Sequence, residues 1–228
     1  MTTNMTMHGS ALQLVAVSAG ISVPSSSRLL TDRLAQATAT AAAGSGRIVE
    51  THVVELRDLA TDIAHATVTG FPSPALAKVL DEVAAADGLI AVTPIFSGSY
   101  SGLFKSFFDV MDNTALIGKP VLIGATGGTP RHSLALEHAL RPLFIYLRAV
   151  VAPTGVYAAS QDWGTESDSH HGELAARITR AGRELTGFMQ CRLPAAGDGI
   201  GAGEGASANG TDDDDVVPFA QHLAALNL

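Results

Sequence analysis

The sequence predicts an α/β protein built on a five-stranded parallel sheet covered by helices on both faces. Three observations carry this expectation. Five apolar clusters rich in β-branched residues alternate with stretches whose apolar residues recur every three or four positions. The run Leu89-Ile90-Ala91-Val92 is apolar throughout rather than alternating, as a strand buried on both faces requires. Hydrophobic residues make up 46% of the 228 and charged ones only 16%, against roughly 25% in an ordinary soluble domain, so a sizeable core is available and wholesale disorder is excluded.

The strand candidates are residues 12–17, 48–54, 89–93, 121–124 and 150–158. Between them, buried helical stripes are expected at Leu30, Leu34, Ala37 and Ala41; at Leu76, Val79, Leu80 and Val83; at Leu103, Phe107, Val110 and Met111; and at Leu136, Leu140, Leu143 and Leu147. A last stripe, Leu174, Ile178, Ala181, Leu185 and Phe188, follows the fifth strand. Strands alternating with helices imply right-handed crossovers and hence a parallel sheet. Residues 1–10 read as a flexible N-terminus, 11–190 as one domain, and 191–228 as a Gly/Asp-rich acidic tail in which 216–228 has enough apolar residues for a short helix.

Charge and cysteine content narrow the function classes. The formal charge is −8, but residues 195–228 hold six acids and no Lys or Arg, which leaves the body near −2. A near-neutral body with an acidic tail lacks the clustered cations that a nucleic-acid backbone demands. Residues 1–10 have no Lys or Arg and no apolar core, so they do not read as a secretory signal. The best membrane candidate, 140–159, is interrupted by Arg141, Pro142, Arg148 and Pro153. The lone Cys191 excludes an internal disulfide and a cysteine-based zinc site, and suits a reducing cytoplasm.

Ligands of open α/β sheets bind beyond the carboxyl ends of the strands, so the residues just after each strand carry the information. The first such loop, Ser18-Ala19-Gly20-Ile21-Ser22-Val23-Pro24-Ser25-Ser26-Ser27-Arg28, leads into a helix. Hydroxyls and free N–H groups at the positive end of a helix dipole suit a phosphate; as a plain helix cap, one of Ser25 or Ser26 would suffice. The second, Thr93 to Lys105, places Pro94, Ile95, Phe96, Ser97, Ser99 and Tyr100 where a flat ring can lie against them. The third contains Thr126-Gly127-Gly128 and then His132, and its paired glycines permit close backbone approach. One phosphate loop and two ring loops describe a mononucleotide site, whereas each loop alone is also what an ordinary βα turn contains.

Several other patterns carry no chemistry. Residues 197–202 match G-x-G-x-x-A, but no strand precedes them and no helix follows. Gly118-Lys119-Pro120 lacks the rest of a P-loop, and no elbow motif surrounds any serine that could pair with His132. His170-His171 lacks a third ligand. Lys105 and Asp109 stand one helical turn apart and read as a surface pair.

At these loops the sequence resembles the NADPH-dependent FMN reductase family of flavodoxin-like proteins, which includes reductases that supply two-component flavin monooxygenases. The likeness spans roughly residues 12–185 and is strongest in Pro94-x-Phe96-x-x-Ser99-x-x-Gly102-x-x-Lys105-x-x-x-Asp109, similar to the family's P-x-Y-x-x-S-x-x-G-x-x-K-x-x-x-D. Phe96 departs from the family tyrosine, and Val17-Ser18-Ala19-Gly20 replaces its G-S-x-R, removing one cation near the phosphate. That loss suits an enzyme that releases its flavin. The resemblance implies a flavodoxin-like three-layer sandwich in which Ser18, Ser25, Ser26 and Ser27 hold the FMN phosphate, and Pro94 to Tyr100 with Thr126 to Gly128 surround the isoalloxazine. NADPH or NADH would stack on the exposed ring face and deliver a hydride to flavin N5, with no general acid or base required. His132 would contact the flavin or the incoming nucleotide, and no metal is called for. It further implies a homodimer or homotetramer and a flavin-dependent monooxygenase as partner. The same scaffold also serves quinone, azo-dye and metal-ion reductases with bound FMN, and flavodoxin-type electron carriers; the near-neutral body speaks against the strongly acidic docking face of a carrier. A flavin-free regulatory domain using the acidic tail is a third reading.

Overall fold

The computed structural model describes residues 11–163 and 169–191. The expected N-terminal segment, the acidic tail from residue 192 with its helix at 216–228, the 197–202 pattern and the side chains of His170 and His171 lie outside the described residues.

Strand β1 (Leu12–Ser18) is central, with β2 (Val49–Glu55) on one side and β3 (Gly88–Phe96) on the other, followed by β5 (Pro120–Gly127) and then the two short pieces β6 (Val150–Val151) and β7 (Val156–Ala159). All of these pair in parallel, in the order β2-β1-β3-β5-β6/β7. The order turns back at β1, so the switch point falls between β1 and β3, where an α/β sheet opens its ligand crevice.

Alternation along the strands splits the core in two. Leu14, Ala16, Ile90, Val92 and Leu122 face α1 (Ser26–Gly44) and α6 (Ser169–Cys191), and meet Leu30, Leu34, Leu174, Ile178 and Leu185 there. Val15, Val17, Leu89, Ala91, Val121 and Ile123 face the opposite layer of α2 (Ala60–Thr69), α3 (Pro74–Ala85), α4 (Gly102–Asp109) and α5 (Arg141–Tyr146). In that layer Phe108 stands edge-on to Phe104 and Phe144, with centroids 4.9 and 5.0 Å apart. Doubly buried strands are what the unbroken apolar run at Leu89 to Val92 requires.

Four features differ from the sequence expectation. The crossover from β2 to β3 holds two helices, not one: α2 buries only Ile63 and Ala66, too thin a stripe to read by period. The fifth strand is split because Pro153 offers no N–H to a ladder, and the bridging backbone is instead held by Glu184, which accepts from Thr154 N (2.7 Å) and Oγ1 (2.8 Å). The helix expected from Leu136 opens as a π-helical turn, Leu136–Leu140, before α5 begins. The strand ends are also longer than expected. Pro94 to Phe96 and Ala125 to Gly127, read as loop, continue β3 and β5, with Pro94 level with Thr126.

Beyond β3 the chain turns straight back as β4 (Ser99–Tyr100), pairing Phe96 with Ser99 and Ile95 with Tyr100. The two-residue loop Ser97-Gly98 has φ values of 50° and 82°, the mirror-image turn that fits the twist of a hairpin and that glycine adopts without strain. Ser101 then caps α4 by accepting from Phe104 N (3.2 Å). Lys105 and Asp109 form the expected one-turn ion pair on its surface.

Candidate functional site

The carboxyl ends of β1, β3, β5 and β7 surround a cavity of about 320 Å³, within the size range of small-molecule sites. Its walls come from four places in the sequence. The β1–α1 loop gives Gly20, Ile21, Ser22, Ser25, Ser26 and Ser27; β3 gives Pro94, Ile95 and Phe96; β5 and its turn give Thr126, Gly127 and Gly128; and a 3₁₀ turn after β7 gives Ser160 and Trp163. None of these side chains is charged.

Each serine of the first loop has a different position. Ser25 is the N-cap of α1, its hydroxyl accepting from Arg28 N (3.2 Å), so the plain capping role is filled by this residue. Ser26 is exposed at the first helical position. Ser27 is buried and shares a 2.7 Å hydrogen bond with Thr126 Oγ1, which ties the helix start to the end of β5. Ser18, the last residue of β1, is fully buried and not part of the cavity lining, and its Oγ has no hydrogen-bond partner among the described residues. Buried hydroxyls are rarely left unpaired, so this one is a free donor and acceptor below the loop. The first N–H groups of α1 have no carbonyl partner within the helix, and its first turn carries no acid.

Two arginines flank the loop without entering the cavity lining. Arg28 reaches Asp32 (2.9 Å) and Glu55 (2.6 Å), while Arg57 reaches the other oxygen of Glu55 (2.8 Å) and donates to the carbonyl of Ser22 (3.0 Å). Both cations are thus neutralised by carboxylates, and what the cavity presents to a ligand is hydroxyls, N–H groups and a helix dipole.

On the opposite wall, Tyr157 donates to the carbonyl of Thr129 (2.7 Å) and so fixes the turn after Gly127 and Gly128. A Cβ at Gly127 would overlap that hydroxyl, which is why this position takes no side chain. Burial and, to a lesser extent, the charge of Asp162 raise the Tyr157 phenol above its ordinary range, so it remains a donor at neutral pH.

Of the residues singled out from sequence, Ser25, Ser26, Ser27, Pro94, Ile95, Phe96, Thr126, Gly127 and Gly128 share this cavity. Ser97 sits exposed at the hairpin tip, and Ser99, Tyr100 and His132 line neighbouring depressions instead. Trp163 and Ser160 were not signalled, because the fifth strand's end resembled an ordinary turn; the chain's sole tryptophan just beyond a predicted strand was the available cue. Trp163 is steadied by Arg33, whose guanidinium carbon lies 5.1 Å from the ring centroid. A larger cavity, about 720 Å³, lies in the groove between α1 and α6, away from the strand ends. Among the described residues no group of three or more His, Cys, Asp or Glu is placed to hold a metal ion, and no helix is long and apolar enough to cross a membrane.

The family described as NADPH-dependent FMN reductase matches residues 12–164. The chain belongs to that family. It is therefore an oxidoreductase of flavodoxin-like fold, with FMN and a nicotinamide nucleotide as its family's cofactors. Among curated relatives it is 44% identical over 155 residues to an FMN reductase (NADPH) of Pseudomonas aeruginosa, covering 68% of this chain and 80% of the relative. It is 37% identical over 170 residues to the NADH-dependent FMN reductase SfnE of Pseudomonas putida, covering 75% and 88%. Among solved structures, an oxidoreductase from Corynebacterium diphtheriae superposes with a TM-score of 0.77 at 41% identity, covering 80% of this chain and 99% of the other. A WrbA-like flavodoxin from Agrobacterium tumefaciens (TM-score 0.53, 17% identity, covering 80% and 100%) shares the fold.

Proposed function

We propose that this FMN reductase holds FMN in the cavity at the carboxyl ends of β1, β3 and β5, phosphate toward Ser25 to Ser27 and Ser18, ring against Pro94 to Phe96 and Thr126 to Gly128. The observation that carries this reading is the division of the cavity into a serine-rich helix start and an apolar slot with backbone edges, the two ends that a phosphorylated flat heterocycle needs. The free Ser18 hydroxyl under the loop supports it, as does the absence of any carboxylate in the lining.

When bound, the flavin supplies the hydride-acceptor chemistry. The chain's residues bind and orient. The α1 N-terminus and its hydroxyls anchor the charged end, Gly127 and Gly128 bring backbone close to the ring edge, and Tyr157 keeps that backbone in place. Phe96, 46% exposed beside the cavity mouth, shields one edge from water. Orientation of two planar reactants within contact distance is the main contribution a protein makes to such a transfer.

The uncharged lining favours an exchangeable flavin over a permanently held one, because phosphate recognition without a cation forgoes the stronger charge-assisted hydrogen bonds. On that ground the reduced flavin is a product passed to a partner monooxygenase. His132, Ser97, Ser99 and Tyr100 stand on the side from which the nicotinamide nucleotide approaches. Exposed Ile145 and Tyr146 on α5 support assembly as a homodimer or homotetramer. A single cysteine, Cys191, unpaired, suits the cytoplasm.

The test is an anaerobic titration. The purified protein is mixed with excess FMN, NADPH is added, and the flavin band at about 450 nm is followed. Complete bleaching at catalytic protein concentration is expected. Binding without bleaching would make the protein a carrier, and failure to bind FMN would remove the cavity assignment.

A further inference from the structure

Next to the cavity just described lies a second one of about 370 Å³ with a different chemical character. Its lining includes Arg131, His132 and His138, together with the hairpin-tip residues Gly98 and Ser99, and contains no acid. Three basic side chains around one depression contrast with none around the neighbouring cavity. The two are adjacent by construction. The β3–β4 hairpin lines the first cavity with Ile95 and Phe96 and the second with Gly98 and Ser99. The β5 turn likewise lines the first with Gly127 and Gly128, then continues through Thr129 into the 3₁₀ turn Pro130–His132 that lines the second.

The Arg131 guanidinium is available to a ligand. No carboxylate pairs with Arg131 among the described residues, and its backbone is set by the Thr129 cap (Arg131 N to Thr129 Oγ1, 3.3 Å). Glu137, next in sequence to His138, lies outside this lining; Arg141 takes both of its oxygens at 2.5 and 3.0 Å, and His138 also acts on it through charge. A water-exposed guanidinium without a partner is ordinary; one grouped with two imidazoles around a concavity beside an uncharged ring slot has the makings of an anion site.

We propose that this second cavity binds a phosphoryl group of the nicotinamide dinucleotide, with Arg131 as its principal ligand and His138 as an auxiliary one. The inference rests on the reading that the first cavity holds FMN. The hairpin that lines the ring slot with Ile95 and Phe96 lines the basic cavity with Gly98 and Ser99, so one extended dinucleotide could reach from the first to the second. The site takes either the diphosphate bridge, common to NADH and NADPH, or the 2′-phosphate peculiar to NADPH.

The experiment measures equilibrium binding of NADP⁺ and NAD⁺ by calorimetry to the full chain with FMN present, for the wild type, Arg131→Ala, His138→Gln and the double variant. FMN affinity is measured separately by quenching of flavin fluorescence. Arg131→Ala is expected to weaken NADP⁺ at least tenfold and His138→Gln a fewfold, with FMN affinity within twofold of wild type. Parallel loss of NAD⁺ assigns the diphosphate; loss confined to NADP⁺ assigns the 2′-phosphate. Unchanged NADP⁺ affinity in the double variant, or no NADP⁺ binding to the wild type, overturns the proposal. Loss of FMN and NADP⁺ affinity together in Arg131→Ala overturns it too, since Arg131 would then belong to the flavin site. Failure of the wild type to bind FMN, with Arg131-dependent NADP⁺ binding intact, sinks the flavin assignment while upholding this one.

Discussion

Arg28 Nη1 donates to Glu55 Oε1 across 2.6 Å, and the other oxygen of that carboxylate receives Arg57 at 2.8 Å. Glu55, at the carboxyl end of β2, thereby holds both cations that border the β1–α1 loop, one at its helix and one at the carbonyl of Ser22. Replacing it by Gln keeps the shape and removes one negative charge beside the proposed phosphate position. Glu55→Gln is expected to tighten FMN about tenfold, roughly 1.4 kcal/mol, the scale of one unit charge acting across a few ångströms of partly solvated protein. The gain should shrink as salt is raised. Riboflavin, which lacks the phosphate, should bind as before. A parallel shift of FMN and riboflavin in fluorescence titrations would assign the effect to loop shape rather than charge.

Tyr157 and Gly127 form a second coupled pair. Tyr157→Phe removes the bond to the Thr129 carbonyl and should cost about 1 kcal/mol. Gly127→Ala drives a Cβ into the hydroxyl and should cost about 1–3 kcal/mol by overpacking. In the double variant the hydroxyl is gone, so the two losses should sum to less than their parts; additive denaturant midpoints would show that Tyr157 does not crowd Gly127. The pH dependence has a definite sign. Burial, then Asp162, hold the Tyr157 phenol above its ordinary value near 10, so the folded chain keeps a proton that the unfolded chain gives up. This contribution is complete below about pH 10 and is lost as pH rises through the folded value. Wild type should therefore lose Tm faster than Tyr157→Phe in that alkaline window alone.

Arg141 joins the π-helical turn to the β6–β7 junction. It takes Glu137 and also donates to the carbonyls of Ala152 and Pro153, each at 3.1 Å. Glu137 is half exposed, so the ion pair itself contributes under about 1 kcal/mol; the two carbonyl bonds bring the expected loss in Arg141→Ala to about 2 kcal/mol. The hydrogen bond from Arg141, above all, holds the Glu137 carboxyl below its usual range. That share of stability is present above the ordinary carboxyl pKa and fades as pH falls through the depressed one. The difference between wild type and variant in chemical denaturation should accordingly narrow in acid and stay constant from pH 6 to 8.

How much of this was legible beforehand depends on what kind of signal each residue carries. Period and apolarity found Leu14, Ile90 and Leu122 as strand residues and Leu34 and Ile178 as helix stripes, because burial imposes those patterns directly. The serine cluster and Gly127-Gly128 were legible because polar and small residues at a strand's end have few structural uses. Glu55, Tyr157 and Trp163 were not. Their roles arise from partners 27, 28 and 130 positions away in sequence, and no local pattern encodes such distances. The π-helical turn and the split fifth strand were hidden for a related reason, since both are settled by what packs against them.

Gly182 supplies a test of the fold that leaves the site alone. A Cβ there would lie 2.8 Å from the backbone of Ala37 and Thr38, where α6 crosses α1, whereas a Cβ at Gly187, one and a half turns further along the same helix, meets nothing within 4 Å. Gly to Ala inside a helix gains up to about 1 kcal/mol from propensity. At Gly187 that term acts unopposed, and Gly187→Ala should raise stability by about 0.5–1 kcal/mol. At Gly182 the obstructing atoms are backbone and cannot swing aside, so an overpacking cost of about 1–3 kcal/mol exceeds the gain. Thr186, which donates to the Thr38 carbonyl at 3.0 Å, fixes the same crossing and limits how far the helices can part. Gly182→Ala should therefore lower Tm while FMN affinity, set at the carboxyl ends of the strands, stays as in wild type. Equal stabilisation by both substitutions would mean that α1 and α6 do not approach this closely in solution.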